Sequence, residues 1–199
     1  MIRRSIRPSL AAVTALALLV LATWLYERLP TEEERQAPLT TEGRVGEQVG
    51  TTGFTVRVRK VRLARSVAGR YPDLGDEPIT TSGIFVIVYA TVTSLEKPIQ
   101  LDYAELRTAD GLSYQATARL DLGIKNEAAL QALFPTPRVF AFEVPPAKLV
   151  GARLVTGHWY APFIRVYVPE VSIDLGLTAR TTPTLLAGAP HDYKVRVPQ

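Results

Sequence analysis

The sequence contains no cysteine among its 199 residues. That excludes a disulfide framework, a thiolate zinc site, a cysteine nucleophile and a lipid-modified N-terminal cysteine. It leaves the compartment open, because an exported domain need not carry disulfides. Histidine is almost as scarce: His158 and His191 are the only two. Neither has a second histidine or a carboxylate at metal-ligand spacing. The P-loop, the dinucleotide fingerprint and the serine-centred elbow are all missing. Ser94-x-x-Lys97 matches the nucleophile motif of penicillin-binding enzymes, but the Ser-Asp-Asn and Lys-Thr-Gly elements that complete that site are absent. No catalytic, cofactor-binding or metal-binding residue is expected, and the chain is read as not an enzyme.

Strong charge is lacking as well, once the first residues are set aside. The formal net charge is +4. Arg3, Arg4 and Arg7 lie ahead of the first apolar run, and without them 20 basic residues face 19 acidic ones. A remainder so close to neutral does not indicate a general polyanion-binding surface, so no nucleic-acid partner is expected.

Leu10 to Tyr26 is uncharged and mostly aliphatic. Roughly 17 helical residues rise ~25 Å, which with Pro8 and Ser9 approaches a bilayer core. The expectation is a cytoplasmic basic segment at 1–9 and a transmembrane anchor at 10–26 that contacts the cytoplasmic membrane. The preceding arginines set the N-terminus inside and the domain outside. A cleaved signal peptide needs a small-x-small site after the run, and Trp24-Leu25-Tyr26-Glu27-Arg28 offers none, so the helix is expected to be retained. Residues 27–44, polar and rich in Glu, read as a flexible stalk.

Residues 45–176 read as one β-sandwich. Gly83 to Thr93 is apolar on both faces, with Ile84, Val86, Val88, Ala90 and Val92 on one side and Phe85, Ile87, Tyr89, Thr91 and Thr93 on the other. Such a strand belongs at the centre of a sheet covered on both sides. Phe54, Val56 and Val58 alternate with Arg57 and Arg59, but the phase then slips to Val61 and Leu63, which predicts a β-bulge near Arg59-Lys60. Ala109-Asp110-Gly111 reads as a hairpin turn, and Val139–Val144 as a strand stopped by Pro145-Pro146. Ala152–Thr156 and Phe163–Val168 read as the last strands, Pro98–Leu101 as an edge strand, and Asn126–Phe134 as a short helix. The tail, 177–199, is either disordered or one more strand.

Two groups stand out as candidate contact residues. Arg57, Arg59, Lys60 and Arg62 form a basic stripe, extended by Arg65 and Arg70, with no acid between Glu47 and Asp73. It reads either as a surface for an anionic partner or as a solvated face paired with acids on the adjacent strand. His158, Trp159 and Tyr160 concentrate aromatic character beside turn residues, as a contact loop or as a corner packed onto the sandwich.

The order Phe54-Thr55-Val56-Arg57-Val58, the long apolar strand, Val92-Thr93-Ser94-Leu95-Glu96-Lys97-Pro98, Leu106 to Tyr114 around Asp110-Gly111, and Val139 to Pro145 resembles an uncharacterised family of bacterial extracytoplasmic immunoglobulin-like domains. That family is akin to a secreted mycobacterial antigen of immunoprotease-inhibitor-like fold. The resemblance spans roughly Val45 to Leu175 and implies an all-β immunoglobulin-like sandwich of about 7–9 strands with no transferable catalytic residue. The expected function is a membrane-anchored, extracytoplasmic, single-pass interaction or accessory module contacting another envelope protein. The alternative is a sensor or carrier for a small ligand or cell-wall component.

Overall fold

The computed structural model describes residues 7–27, 38–68, 77–120, 129–158 and 168–195. The chain divides into two compact units, 1–37 and 38–199. In the first, helix α1 spans Arg7–Glu27. Its side chains are described from Ala12 to Tyr26, a stretch that rises roughly 22 Å against a hydrocarbon core of about 30 Å. Among the described residues no helix is long and apolar enough to cross a membrane. This corrects the expected transmembrane anchor at 10–26, and with it the single-pass topology, the membrane contact and the placement of the N-terminus in the cytoplasm.

The second unit is an all-β sandwich with nine strands in two sheets among its described residues. The strands are β1 (Leu39–Arg44), β2 (Gln48–Gly50), β3 (Phe54–Val67), β4 (Ile79–Ser94), β5 (Tyr103–Arg107), β6 (Ser113–Gln115), β7 (Thr136–Val144), β8 (Arg153–Gly157) and β9 (Pro169–Asp174). One sheet runs β2-β3-β4-β7 and the other β1-β9-β8-β5-β6. All pairings are antiparallel except β1 with β9. Helix α2 (Thr182–Ala187) follows the last strand.

β4 is an interior strand with β3 on one side and β7 on the other. Its period of two splits the side chains as the sequence pattern implies. Ile84, Val86, Val88, Ala90 and Val92 enter the main core between the sheets, with Phe54, Phe140, Phe142, Leu106, Leu154 and Ile173. Phe85, Ile87 and Tyr89 form a second cluster with Ala64, Val139, Ala141 and Leu120. A strand whose two faces both leave water must be apolar on both.

The bulge is where the phase slip placed it: Val58 pairs with Ala90 and Lys60 with Tyr89, leaving Arg59 without a register partner. The extra residue returns Val61 and Leu63 to the inward side, opposite Val88 and Val86. A second shift lies between Ala64 and Ser66. The hairpin around Ala109–Gly111 joins β5 and β6, with Gly111 at positive φ.

Several expected boundaries move. Of the stalk read over 27–44, Glu27 ends α1, Leu39–Arg44 is strand β1, and 28–37 lies outside the described residues. Ile99 does not start an edge strand; it makes one isolated bridge to Leu130. The helix expected over Asn126–Phe134 is not present in its described part, 129–134. Leu130 is buried, Leu133 has a φ of 64°, and Leu133 and Phe134 are exposed, so the three share no face. The strand expected at Phe163–Val168 lies outside the described residues except for Val168, and the strand that follows, β9, begins at Pro169.

The tail closes over the four-stranded sheet. Ser66 and Tyr193 are tied by Tyr193 N–H to Ser66 O at 3.0 Å, and Ser66 Oγ donates to Asp192 Oδ1 at 2.9 Å. Tyr193 and Val195 then pack on the Phe85–Ile87 cluster, and the Tyr89 and Tyr193 hydroxyls lie 3.1 Å apart. That cover makes the second face of β4 an interior.

Candidate functional site

The outer faces of the two sheets carry the polar chemistry of the domain, and they are built differently. On the five-stranded sheet the register places Thr40, Glu170, Gly157 and Tyr103 in one row across β1, β9, β8 and β5. Glu170 is only 2% exposed. A buried carboxylate requires donors, and it has them. Thr40 donates to Oε1 at 2.8 Å, Tyr103 Oη–H donates to Oε2 at 2.9 Å, and Arg107 Nη2 lies 3.5 Å from Oε2. Arg107 also reaches Glu105 Oε1 at 2.6 Å, and Gln115 donates to the other oxygen of Glu105.

Gly157 makes this geometry possible. A Cβ there would fall 2.7 Å from Tyr103 Cζ, so glycine lets the phenol lie across β8 to reach β9. Burial, followed by the charge and hydrogen bond of Glu170, raises the Tyr103 pKa well above the usual phenol value. Burial works against the Arg107 charge, but the hydrogen bond to Glu105 and the charge of Glu170 outweigh it, so the pKa of this guanidinium is also raised. Farther along the same face Arg153 bonds to Ser172 through Nε at 2.7 Å and lies 3.4 Å from Glu42. With donors and acceptors matched, this network stabilises the sheet and has no reactive member.

His158 follows β8, and its Nδ1 lies 3.0 Å from Asp102 Oδ2. It belongs to the end of the five-stranded sheet and is partly buried. Trp159 and Tyr160, the other members of that candidate contact loop, lie outside the described residues. Beside Asp102, a cleft of about 190 Å³ is lined by Leu101, Tyr103, Ala104, Gln115 and Phe140. That is below the ~300–1,000 Å³ usual for small-molecule sites.

The basic stripe lies on the other sheet. Arg57 and Lys60 stand opposite Thr91 and Tyr89, Arg62 opposite Ile87, and Arg59 occupies the bulge. All four are exposed. Arg57 Nε donates to the Gly46 carbonyl at 2.8 Å, and Lys60 Nζ lies 5.8 Å from the centre of the Tyr89 ring. Among the described residues no carboxylate lies within ion-pair distance of Arg57, Arg59, Lys60 or Arg62. The neighbours explain this. β4 is apolar because both its faces are covered, and β2 is three residues long and uncharged. Acids on the adjacent strand, one of the two readings of this stripe, are therefore not there to pair with it.

The sequence brought the stripe to notice but not the Glu170 row. A lone Glu in Pro169-Glu170-Val171-Ser172-Ile173 gives no signal on its own. The alternation of Val171 and Ile173 was readable as a strand, and would have put Glu170 on its other face.

The described residues contain no group of three or more His, Asp or Glu side chains placed to hold a metal, and the chain has no cysteine. No family model matches the chain, and no curated protein matches it. Its structure matches several solved bacterial β-sandwich proteins at low identity. An uncharacterised β-sandwich protein from Clostridium difficile 630 is 12% identical with a TM-score of 0.44, covering 73% of this chain and 99% of that one. The yjhA protein of Bacillus subtilis is 14% identical with a TM-score of 0.48, covering 66% and 99%. The secreted protein MPT63 of Mycobacterium tuberculosis is 16% identical with a TM-score of 0.47, covering 69% and 98%. Nothing about a site or an activity passes from them to this chain.

Proposed function

We propose that the protein is a non-catalytic binding module and that Arg57, Arg59, Lys60 and Arg62 form its contact surface for an anionic partner. The observation that carries this reading is the lack of counter-charge among the described residues. Four exposed cations crowd one strand, and no described carboxylate is close enough to neutralise them. Like charges held together raise the local potential and attract an opposite surface. Cations kept only for solubility would gain by having acids interspersed, as on the five-stranded sheet.

Immobilised polyglutamate is a suitable probe. The full chain should be retained at low ionic strength and released as salt rises, because exposed charge pairs are screened beyond a Debye length of about 8–10 Å at physiological salt. The triple variant Arg57→Gln, Arg59→Gln, Arg62→Gln should elute at markedly lower salt with unchanged melting. Elution of the variant at the salt of the parent chain would sink the proposal.

A further inference from the structure

On the side of β3 away from β4, described main-chain partners are present at both ends and none in the middle, and helix α2 packs near the far end, where the Leu186 carbonyl accepts from Arg65 Nη2 at 3.3 Å. β2 pairs with Thr55–Arg57, and Gly46 N–H bonds to Val58 O at 2.9 Å. At the far end Arg65 N–H bonds to Pro190 O at 2.8 Å, and the tail bonds to Ser66. Between them, Arg59–Ala64 has no described main-chain partner on that side. Six residues of strand extend about 20 Å. An edge of this kind is a template for one more strand.

Resting on the binding-module reading above, we infer that this open edge of β3 takes up an extended acidic segment of a partner protein by strand addition. Two features select the occupant. Lys60 and Arg62 stand on the outer face, while Val61 and Leu63 turn to the inner side, where Val61 is only partly buried. A strand added alongside presents successive side chains to alternate faces. A segment with carboxylates at every second position and apolar residues between would set the acids beside Lys60 and Arg62 and the apolar groups beside Val61. The same cations disfavour the commonest wrong occupant, a second copy of this edge, because that copy would bring like charge against like. Cationic residues and a bulge guard an edge against self-pairing. Here they also leave it selective for acid.

The test uses the full chain and three peptides: acetyl-(Glu-Val)3-amide, the same peptide N-methylated at alternate residues so that one edge loses its N–H donors, and acetyl-(Gln-Val)3-amide. The first should bind at low salt. The N-methylated and Gln peptides should each bind at least about tenfold more weakly. Amides within Arg59–Ala64 should gain protection from hydrogen exchange only with the first peptide, and Lys60→Glu with Arg62→Glu should abolish its binding. Equal binding of the Glu and N-methylated peptides, without new protection, overturns strand addition and leaves the anionic-contact reading standing. So does retention on polyglutamate with no binding of either acidic peptide. Loss of polyglutamate retention overturns both. Concentration-dependent self-association that protects the same amides would name a second copy as the occupant and overturn the inference.

Discussion

Arg107 and Arg153 on the five-stranded sheet have carboxylates in reach, Glu105 and Glu170 for one and Glu42 for the other. Arg57, Arg59, Lys60 and Arg62 on the four-stranded sheet have no described carboxylate in reach. The difference follows from what lies across the ladder. The outer face of the five-stranded sheet is half wet, so its strands alternate polar with apolar residues and can supply acids. β3 is flanked by β4, which has both faces covered and carries no charge, and by the short β2. The strand that holds the core together therefore deprives its neighbour of counter-ions. The four-stranded sheet pairs Glu143 of β7 with Arg119 at 2.8 Å, so the contrast belongs to β3, whose cations reach no described carboxylate.

The hardest test of the comparison is to charge β4 itself. Val88→Asp and Ile87→Asp should each prevent folding. Both side chains are fully buried, on opposite faces. An unpaired carboxylate there costs several kcal/mol, against a total stability of ~5–15 kcal/mol. Circular dichroism of the two variants reads the outcome. A cooperative melt retained by Ile87→Asp would mean that the cover provided by Tyr193 and Val195 is not an interior.

The Glu170 row comes next in size. Tyr103→Phe removes a hydrogen bond to a buried carboxylate and should cost about 1.5–3 kcal/mol. Gly157→Ala should displace the same phenol and lower stability in the same direction, by about 1–3 kcal/mol. Denaturant unfolding measures both. An unchanged midpoint for both variants would show that the network is decorative.

A smaller effect of the same row appears at high pH. The folded-state pKa of Tyr103 is raised, so its proton is held more tightly in the folded chain than in the unfolded one. Its contribution is fully present below the unfolded value of about 10 and is lost as pH rises above it. Stability should therefore fall more steeply above about pH 10 in the parent chain than in Tyr103→Phe. Parallel pH profiles would contradict the burial of the phenol.

The smallest effect is expected on the stripe. Changing Arg57, Arg59 and Arg62 together to Gln should shift stability by no more than ~0.5 kcal/mol, because exposed charges without a described ion-pair partner contribute little to folding. A large loss of melting temperature would mean that the cations serve the fold and that the contrast between the faces is false.

Much of the four-stranded sheet was readable in the residues. The double apolar alternation of β4 and the phase slip at Arg59 are local patterns of period two, and a strand cannot bury an unbroken set of side chains in any other phase. The acid-free stretch from Gln48 to Pro72 showed the charge of the stripe in the same way. The stretch Leu39–Arg44, read as part of the stalk, and the helix expected near Leu130 went the other way. Leu39-Thr40-Thr41-Glu42-Gly43-Arg44 has no apolar alternation, and it is a strand because β9, 130 residues away in sequence at Thr40 and Glu170, lies beside it. Leu130 carried helical spacing with Leu133 and Phe134, but its bridge to Ile99 took precedence.

By itself the sequence determined the centre of the sandwich, the bulge, the hairpin and the cysteine-free, motif-poor chemistry, because each depends on residues close in the chain. Only the tertiary structure decided that Glu170 is buried among Thr40, Tyr103 and Arg107, that the tail seals the second face of β4, and that the cations of β3 meet no described acid. Each of these depends on which distant strands become neighbours, and pairing across a sheet is set by packing and register over the whole domain rather than by any local pattern.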